Sequence, residues 1–416
     1  MRSKLFQVSF WNNVNMCIRL LTGITTAKLI AIYVGPGGMA LMGNFRNFLA
    51  SLESVSTLGF QNGIVKYVSE YRKDGDKRAQ FVAVLVVAIA LFSLLISALA
   101  FGFRAALSDY IFDKTFSLEF LFIVLAFAFP FQAFSVVFVS IINGLERFKQ
   151  LMFIHIVGNL LAFGVTAVLV YYWTLNGALL ALVLGPAVVG IIAFFAVLRD
   201  LWPMLKAGFE KLDFSLLRPL FSFSLMALFS GTVGPAVLFV IRNYLMDNLG
   251  IVAGGYWEAV NRIAGFYMMF ITTLVAVYFL PKLAAAENSR ELRHEIRKYL
   301  QWILPVFGLG LLIVYQWREL LISLLMTDRF LPVSDILAWQ LIGDFLKAAS
   351  LIFGIMFYAK RVVLAYLVTE GLSFVVLWGS SVYLIDHYGL VGATMAHAVT
   401  YLFYLIMLLL YFRKKI

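Results

Sequence analysis

Again and again along its 416 residues the chain runs apolar for about the 20 residues that a helix needs to cross the hydrocarbon of a bilayer. A backbone in lipid must satisfy its own hydrogen bonds, so such repeated runs fold as helices. About twelve can be drawn at the length a bilayer sets: 8–33, 38–70, 80–103, 117–143, 150–173, 177–198, 217–245, 253–281, 298–316, 334–359, 362–385 and 390–412. The expected fold class is an all-α integral membrane protein. Composition excludes the soluble classes, with hydrophobic residues at 62% and charged residues at 13%. The first run is too long and too polar for a cleavable signal peptide and reads as a mature membrane helix. A single cysteine, Cys17, excludes an intrachain disulfide and a cysteine-based metal cluster; packing is its expected role.

Orientation follows from the cations outside the spans. Arg72, Lys73, Lys77, Arg78, Arg147, Lys149, Arg199, Lys206, Lys211, Arg218, Lys282, Arg290, Arg293, Arg297, Lys298, Lys360 and Arg361 share one side with Arg2, Lys4, Arg413, Lys414 and Lys415 at the ends. Arg104, Lys114, Arg318 and Arg329 take the other. The positive-inside rule puts both termini in the cytoplasm. It also accounts for the net charge of +11 as a topology signal and contact with anionic lipid, with no need of nucleic acid.

The two ends of the chain repeat one another. Asn176-Gly177-Ala178 matches Val391-Gly392-Ala393, and Arg199 matches Lys414, both 215 positions on; Gly38 and Asn44 match Gly255 and Asn261 at 217. Two six-helix halves are expected, 1–205 and 206–416. An even helix number gives both copies the same orientation, a pattern found in transporters, with the substrate path between the halves.

Cations inside the spans fall on this repeat. Of Arg19, Lys28, Arg46, Lys66, Arg242, Arg262 and Lys347, Lys28 matches Arg242 at 214 and Arg46 matches Arg262 at 216. A cation in hydrocarbon costs several kcal/mol and usually faces water, a counter-ion or an anionic cargo. Lys28, Arg46, Arg242 and Arg262 are therefore expected to line a cationic cavity that takes phosphate groups. The plainer alternative is local pairing, since Glu258 lies four residues before Arg262, Asp344 three before Lys347, and Glu53 two turns from Arg46. Asp344 and Glu370 are the buried acids, read either as proton or sodium sites or as charge balance for Lys347. His155, His294, His387 and His397 show no ligand spacing and read as packing or surface residues.

No phosphate loop, dinucleotide fingerprint or zinc motif is present, so no catalytic residue, metal or cofactor is expected. Energy comes from a gradient, from the substrate's own disequilibrium or from a partner. Two half-apolar stretches, 199–218 and 317–332, read as interfacial segments on the inner and outer faces. A drug exporter would want an acidic or apolar cavity. A membrane glycan polymerase or glycosyltransferase would want catalytic groups on a substantial outer loop.

The run Val34-Gly35-Pro36-Gly37-Gly38, Gly43-Asn44-Phe45-Arg46-Asn47 and Gly59-Phe60-Gln61-Asn62-Gly63-Ile64-Val65-Lys66-Tyr67-Val68 resembles the second helix of Wzx-type polysaccharide flippases. So do Tyr278-Phe279-Leu280-Pro281-Lys282-Leu283 and Ala338-Trp339-Gln340-Leu341-Ile342-Gly343-Asp344-Phe345-Leu346-Lys347. The likeness spans nearly the whole chain. It is strongest to lipid III flippases and O-antigen translocases, within the superfamily of multidrug, oligosaccharidyl-lipid and polysaccharide exporters (MOP). The resemblance implies a V-shaped pair of bundles around a cationic cavity, in the bacterial inner membrane. It implies a cargo of undecaprenyl-diphosphate-linked oligosaccharide, and a glycan polymerase and a chain-length regulator as further partners. Asn44, Asn47, Gln61, Asn62 and Asn261 would then meet sugar hydroxyls.

Overall fold

The computed structural model describes residues 2–413 apart from 113 and 115; Lys414 and Lys415, including the repeat partner of Arg199, lie outside the described residues. The described chain is helical nearly throughout, with no strand among those residues. Ten of its helices are long and apolar enough to cross a membrane. The difference from the larger number expected has two sources. One helix of 62 residues, Phe148–Phe209, breaks at Thr174, where φ is 44° and ψ −116°, and so supplies two spans. The helix Gly35–Ser56 is long enough but carries Asn44, Arg46, Asn47 and Glu53, which keep it from counting as apolar.

In chain order the helices are α1 (Arg2–Tyr33), α2 (Gly35–Ser56), α3 (Gln61–Glu70), α4 (Gly75–Gly102), α5 (Arg104–Phe112), α6 (Glu119–Gly144), α7 (Phe148–Phe209) and α8 (Arg218–Leu249). They continue as α9 (Ile251–Leu274), α10 (Leu280–Ala285), α11 (Ser289–Lys298), α12 (Leu304–Gln316), α13 (Arg318–Leu325), α14 (Val333–Lys360), α15 (Val363–Tyr388) and α16 (Leu390–Phe412). The expected single helix at 38–70 is thus corrected to two, α2 and α3. Between them Leu58 and Gly59 take φ of 51° and 64°. A Cβ on Gly59 would meet the Ser224 carbonyl oxygen at 2.7 Å, so the glycine serves both the turn and the close approach of α8. The stretch Arg290–Lys298, read as loop, is also helical. Asn288 caps it by accepting from the Glu291 amide at 3.0 Å, and the Glu291 carboxylate accepts in return from the Glu287 amide at 3.0 Å.

The chain packs as two compact units, Met1–Val34 with Asn44–Pro235, and Gly35–Gly43 with Ala236–Ile416. The first has a core of Phe60, Ile64, Phe81, Phe138, Ile142 and Leu220 beside an aromatic group in which Phe45 and Phe122 stand 5.9 Å apart. At the polar ends of its helices Arg72 pairs with Glu146 at 2.5 Å, and Arg147 with Asp200. In the second, α14 packs on α9, α12 and α16, and Tyr299 donates to the Ala348 carbonyl at 2.7 Å.

The sequence repeat has a structural basis in each unit. Thr174 and Gly389, 215 positions apart, both take positive φ, 44° and 60°. Three residues later a glycine lets the two helices touch: a Cβ on Gly177 would lie 1.8 Å from the Leu169 carbonyl oxygen, and one on Gly392 2.0 Å from that of Leu384. The same tight helical hairpin is built twice.

Candidate functional site

Helix α2 begins on Gly35 with Pro36 in its first turn, where a missing amide hydrogen is harmless. It then carries polar residues through membrane depth: Asn44 and Asn47 are buried, and Arg46 and Glu53 half-buried. Lys28, half-buried on α1, belongs to the same first unit as Asn44 and Arg46. Arg242, Asn261 and Arg262 belong to the second. Arg19 is exposed, and Lys66 lies 3.8 Å from Glu70 near the end of α3.

The second unit brings Arg242 and Arg262 together. Gly250, with φ of 84°, turns α8 tightly into α9. Glu258 of α9 then faces back on α8, where its Oε2 accepts from Arg242 Nη2 at 2.8 Å while its Oε1 accepts from Arg262 Nε at 3.2 Å. The Trp257 ring lies 5.1 Å from the Arg242 guanidinium. Arg242 is 1% exposed, Glu258 fully buried and Arg262 12% exposed, so only the last reaches the surface of this group. Gly43 makes the space: a Cβ there would stand 2.5 Å from Glu258 Oε2 and 2.7 Å from Arg242 Cζ. The Asn261 amide donates to the Trp257 carbonyl at 2.8 Å. The short-range pairing of Glu258 with Arg262 is present as the spacing allowed. The bond to Arg242, sixteen residues back, depends on the turn and left no mark at helical spacing.

A second polar group lies among α9, α14, α15 and α16. Asp344, 1% exposed, accepts from the Tyr267 hydroxyl at 2.6 Å, from Gln340 Nε2 at 3.1 Å and from His397 Nε2 at 2.9 Å. The expected local pair of Asp344 with Lys347 is corrected, since no ion pair joins them among the described residues and the carboxylate's close partner is His397. Lys347 lies 5.3 Å from the Tyr401 ring, and Glu370 is half-buried on α15. His397 is therefore part of a charged group rather than a packing or surface residue. Gly343 makes room for the imidazole: a Cβ there would stand 2.3 Å from His397 Cδ2.

Sequence reasoning offered Glu53 only as a local counter-ion for Arg46. It lines a cavity of about 360 Å³ in the first unit with Gln132, Ser135, Asn159 and Pro186. Its carboxylate makes no hydrogen bond or ion pair among the described residues, and Gln132 turns its amide to the Val183 carbonyl at 2.5 Å. Only contact between helices far apart in sequence defines this space.

This fold has counterparts among solved structures. An inward-facing multidrug resistance MATE family transporter of the MOP superfamily superposes with a TM-score of 0.77 at 15% identity, over 96% of this chain and 98% of that one. The lipid II flippase MurJ in an inward closed conformation gives 0.72 at 13%, over 98% and 87%. The class is thus a multi-pass helical membrane protein with the MOP-superfamily fold.

Sequence comparison narrows this. The model of the polysaccharide biosynthesis protein family matches residues 9–287. Lipid III flippases of Escherichia coli (strain K12) and Shigella flexneri are each 30% identical over 406 residues, 96% of either chain. The chain belongs to the polysaccharide biosynthesis protein family.

Proposed function

We propose that this protein moves an undecaprenyl-diphosphate-linked oligosaccharide from the cytoplasmic to the periplasmic leaflet of the bacterial inner membrane, by alternating access and without covalent chemistry. The observation that carries the reading is the 30% identity over 96% of the chain with proteins named lipid III flippases. In this reading both termini and the segments 72–78, 199–218 and 290–298 face the cytoplasm, and a glycan polymerase and a chain-length regulator receive the product.

The residues match that cargo chemically. A diphosphate wants guanidinium forks and ammonium charges, supplied by Lys28, Arg46, Arg242 and Arg262; Asn44 and Asn261 present amides to sugar or phosphate oxygens. Arg242 already bonds a carboxylate, so a phosphate that takes it displaces Glu258. Glu258 then acts as the internal anion that holds Arg242 and Arg262 when cargo is away. Asp344, Lys347 and Glu370 couple the cycle to an ion gradient.

Translocation of the glycolipid by purified protein in vesicles tests this. A charge-assisted hydrogen bond is worth about 1.5–3 kcal/mol, so Arg46→Ala or Arg262→Ala lowers head-group affinity by about ten-fold or more. Arg46→Lys recovers part of the loss, keeping charge without the fork. Unchanged affinity in alanine variants of all four cations refutes the site. Failure of cells lacking the protein to accumulate a lipid-linked oligosaccharide refutes the function.

A further inference from the structure

We infer that the His397 imidazole is a proton-binding site of the second unit, gaining and losing its proton at Nδ1 while Nε2 stays bonded to Asp344. This deepens the coupling part of the proposed function, whose ion it identifies as a proton, and rests on that reading for its consequence.

The donor pattern fixes the chemistry. A carboxylate accepts and does not donate, so Nε2 carries a hydrogen in its 2.9 Å bond to Asp344 Oδ1. Neutral imidazole and imidazolium then differ only at Nδ1. Oδ2 is occupied as well, by the Tyr267 hydroxyl at 2.6 Å and Gln340 Nε2 at 3.1 Å. Three donors thus converge on a carboxylate that offers about four lone-pair sites, so the imidazole is held by an acceptor already largely engaged.

Charge balance points the same way. Against His397 stand Asp344 of α14, whose carboxylate also holds Tyr267 of α9, and Tyr401 on its own helix; Lys347 of α14 lies 5.3 Å from the Tyr401 ring, and Glu370 of α15 acts electrostatically on Lys347. With the phenols neutral, Asp344 and Glu370 oppose Lys347 alone. An imidazolium brings the sum to zero, and loss of its proton leaves one uncompensated negative charge at membrane depth, which is costly. Histidine is the side chain whose ordinary proton equilibrium lies where such exchange is useful. Tyr401 packs against the imidazole with ring centroids 4.8 Å apart, and the Lys347 ammonium lies 5.3 Å from the same ring, so a charge change on His397 is felt along the group.

The ring is held in place and still reachable. A Cβ on Gly343 would come within 2.3 Å of His397 Cδ2, so the imidazole lies flush on α14. Its side chain remains 15% exposed, against 1% for Asp344.

The chain has four histidines, so the triple variant His155→Gln, His294→Gln, His387→Gln leaves His397 as the sole imidazole without touching the network. Nitrogen-15 NMR of labelled histidine in lipid nanodiscs then reads both ring nitrogens against pH. The expected result is a single-proton transition at Nδ1 with Nε2 protonated throughout, displaced in Asp344→Asn. A ring that stays in one form over the whole accessible range, or that titrates at Nε2, overturns the inference. In vesicles with an imposed pH gradient, His397→Gln keeps a donor for Asp344 and is expected to abolish the gradient dependence of glycolipid translocation, while the triple histidine variant retains it. Gradient dependence that survives His397→Gln also overturns the inference. If Nδ1 titrates but no glycolipid moves in the unmodified protein, the cargo reading falls and the proton site stands.

Discussion

Each unit of this protein holds a carboxylate among its membrane-spanning helices, and it keeps the two in opposite ways. Glu53 lines a cavity of about 360 Å³ and takes no hydrogen bond among the described residues. Asp344 is 1% exposed and is enclosed by three donors from three helices. A polar group removed from water needs either partners or a wet space. The first carboxylate has space and the second has partners. One can gain a ligand without breaking a bond; the other cannot change charge without disturbing α9, α14 and α16 together.

The largest expected consequence is in stability. Asp344→Leu strands His397, Tyr267 and Gln340, and each buried donor left without an acceptor costs about 1–3 kcal/mol. Glu53→Leu strands no partner, so its expected cost is the surface-like value, about 0.5 kcal/mol or less. Thermal unfolding of the two variants in the same detergent measures the difference. Equal losses would erase the distinction between a carboxylate held by donors and one held by space.

Amide variants sharpen the same contrast with a smaller effect. Asn at 344 keeps one acceptor oxygen but turns an NH2 group toward a donor, leaving a buried group unsatisfied at about 1–3 kcal/mol. Gln at 53 removes only a charge from a polar cavity, and its unfolding midpoint is expected to stay near that of the unmodified protein. If Glu53→Gln is the more damaging of the pair, an unrecognised partner of Glu53 is the explanation and the cavity is not what sustains it.

What could be read from residues alone follows the same physics. Spans and the Gly177/Gly392 hairpins are written locally, because a membrane helix is a run and a tight turn needs a particular residue. Arg242 and Arg262 were singled out as the repeat counterparts of Lys28 and Arg46, since duplication preserves positions. Their meeting on Glu258 was not, because it depends on the φ of Gly250 and on the missing side chain of Gly43. His397 was invisible for a similar reason: 53 residues separate it from Asp344, and only the packing of α14 on α16 makes them neighbours. The break at Leu58 and Gly59 lies between Ser56-Thr57 and Gln61-Asn62, and a span drawn by length alone runs through it because the turn rests on the φ of two residues.

The smallest effect belongs to a carboxylate outside the spans, which supplies the watery end of the comparison. Asp213, in the segment between α7 and α8, accepts from the Ser215 amide at 2.9 Å and caps the short turn Phe214–Leu217. Hydrogen bonds from Ser215, side chain and backbone, hold its carboxyl below the usual range. A depressed folded value means that the charged form is favoured by folding. That contribution is fully present above the unfolded carboxyl range and is lost as pH falls through the folded value. Asp213 is exposed, so water screens most of it. Asp213→Ala is accordingly expected to lower the unfolding midpoint less than either Asp344 variant, with the gap from the unmodified protein closing in acid. Midpoints measured at neutral and acid pH check the sign. A gap that widens in acid would show that the protonated side chain does the capping, and the ordering of donors, cavity and water would then lose its third member.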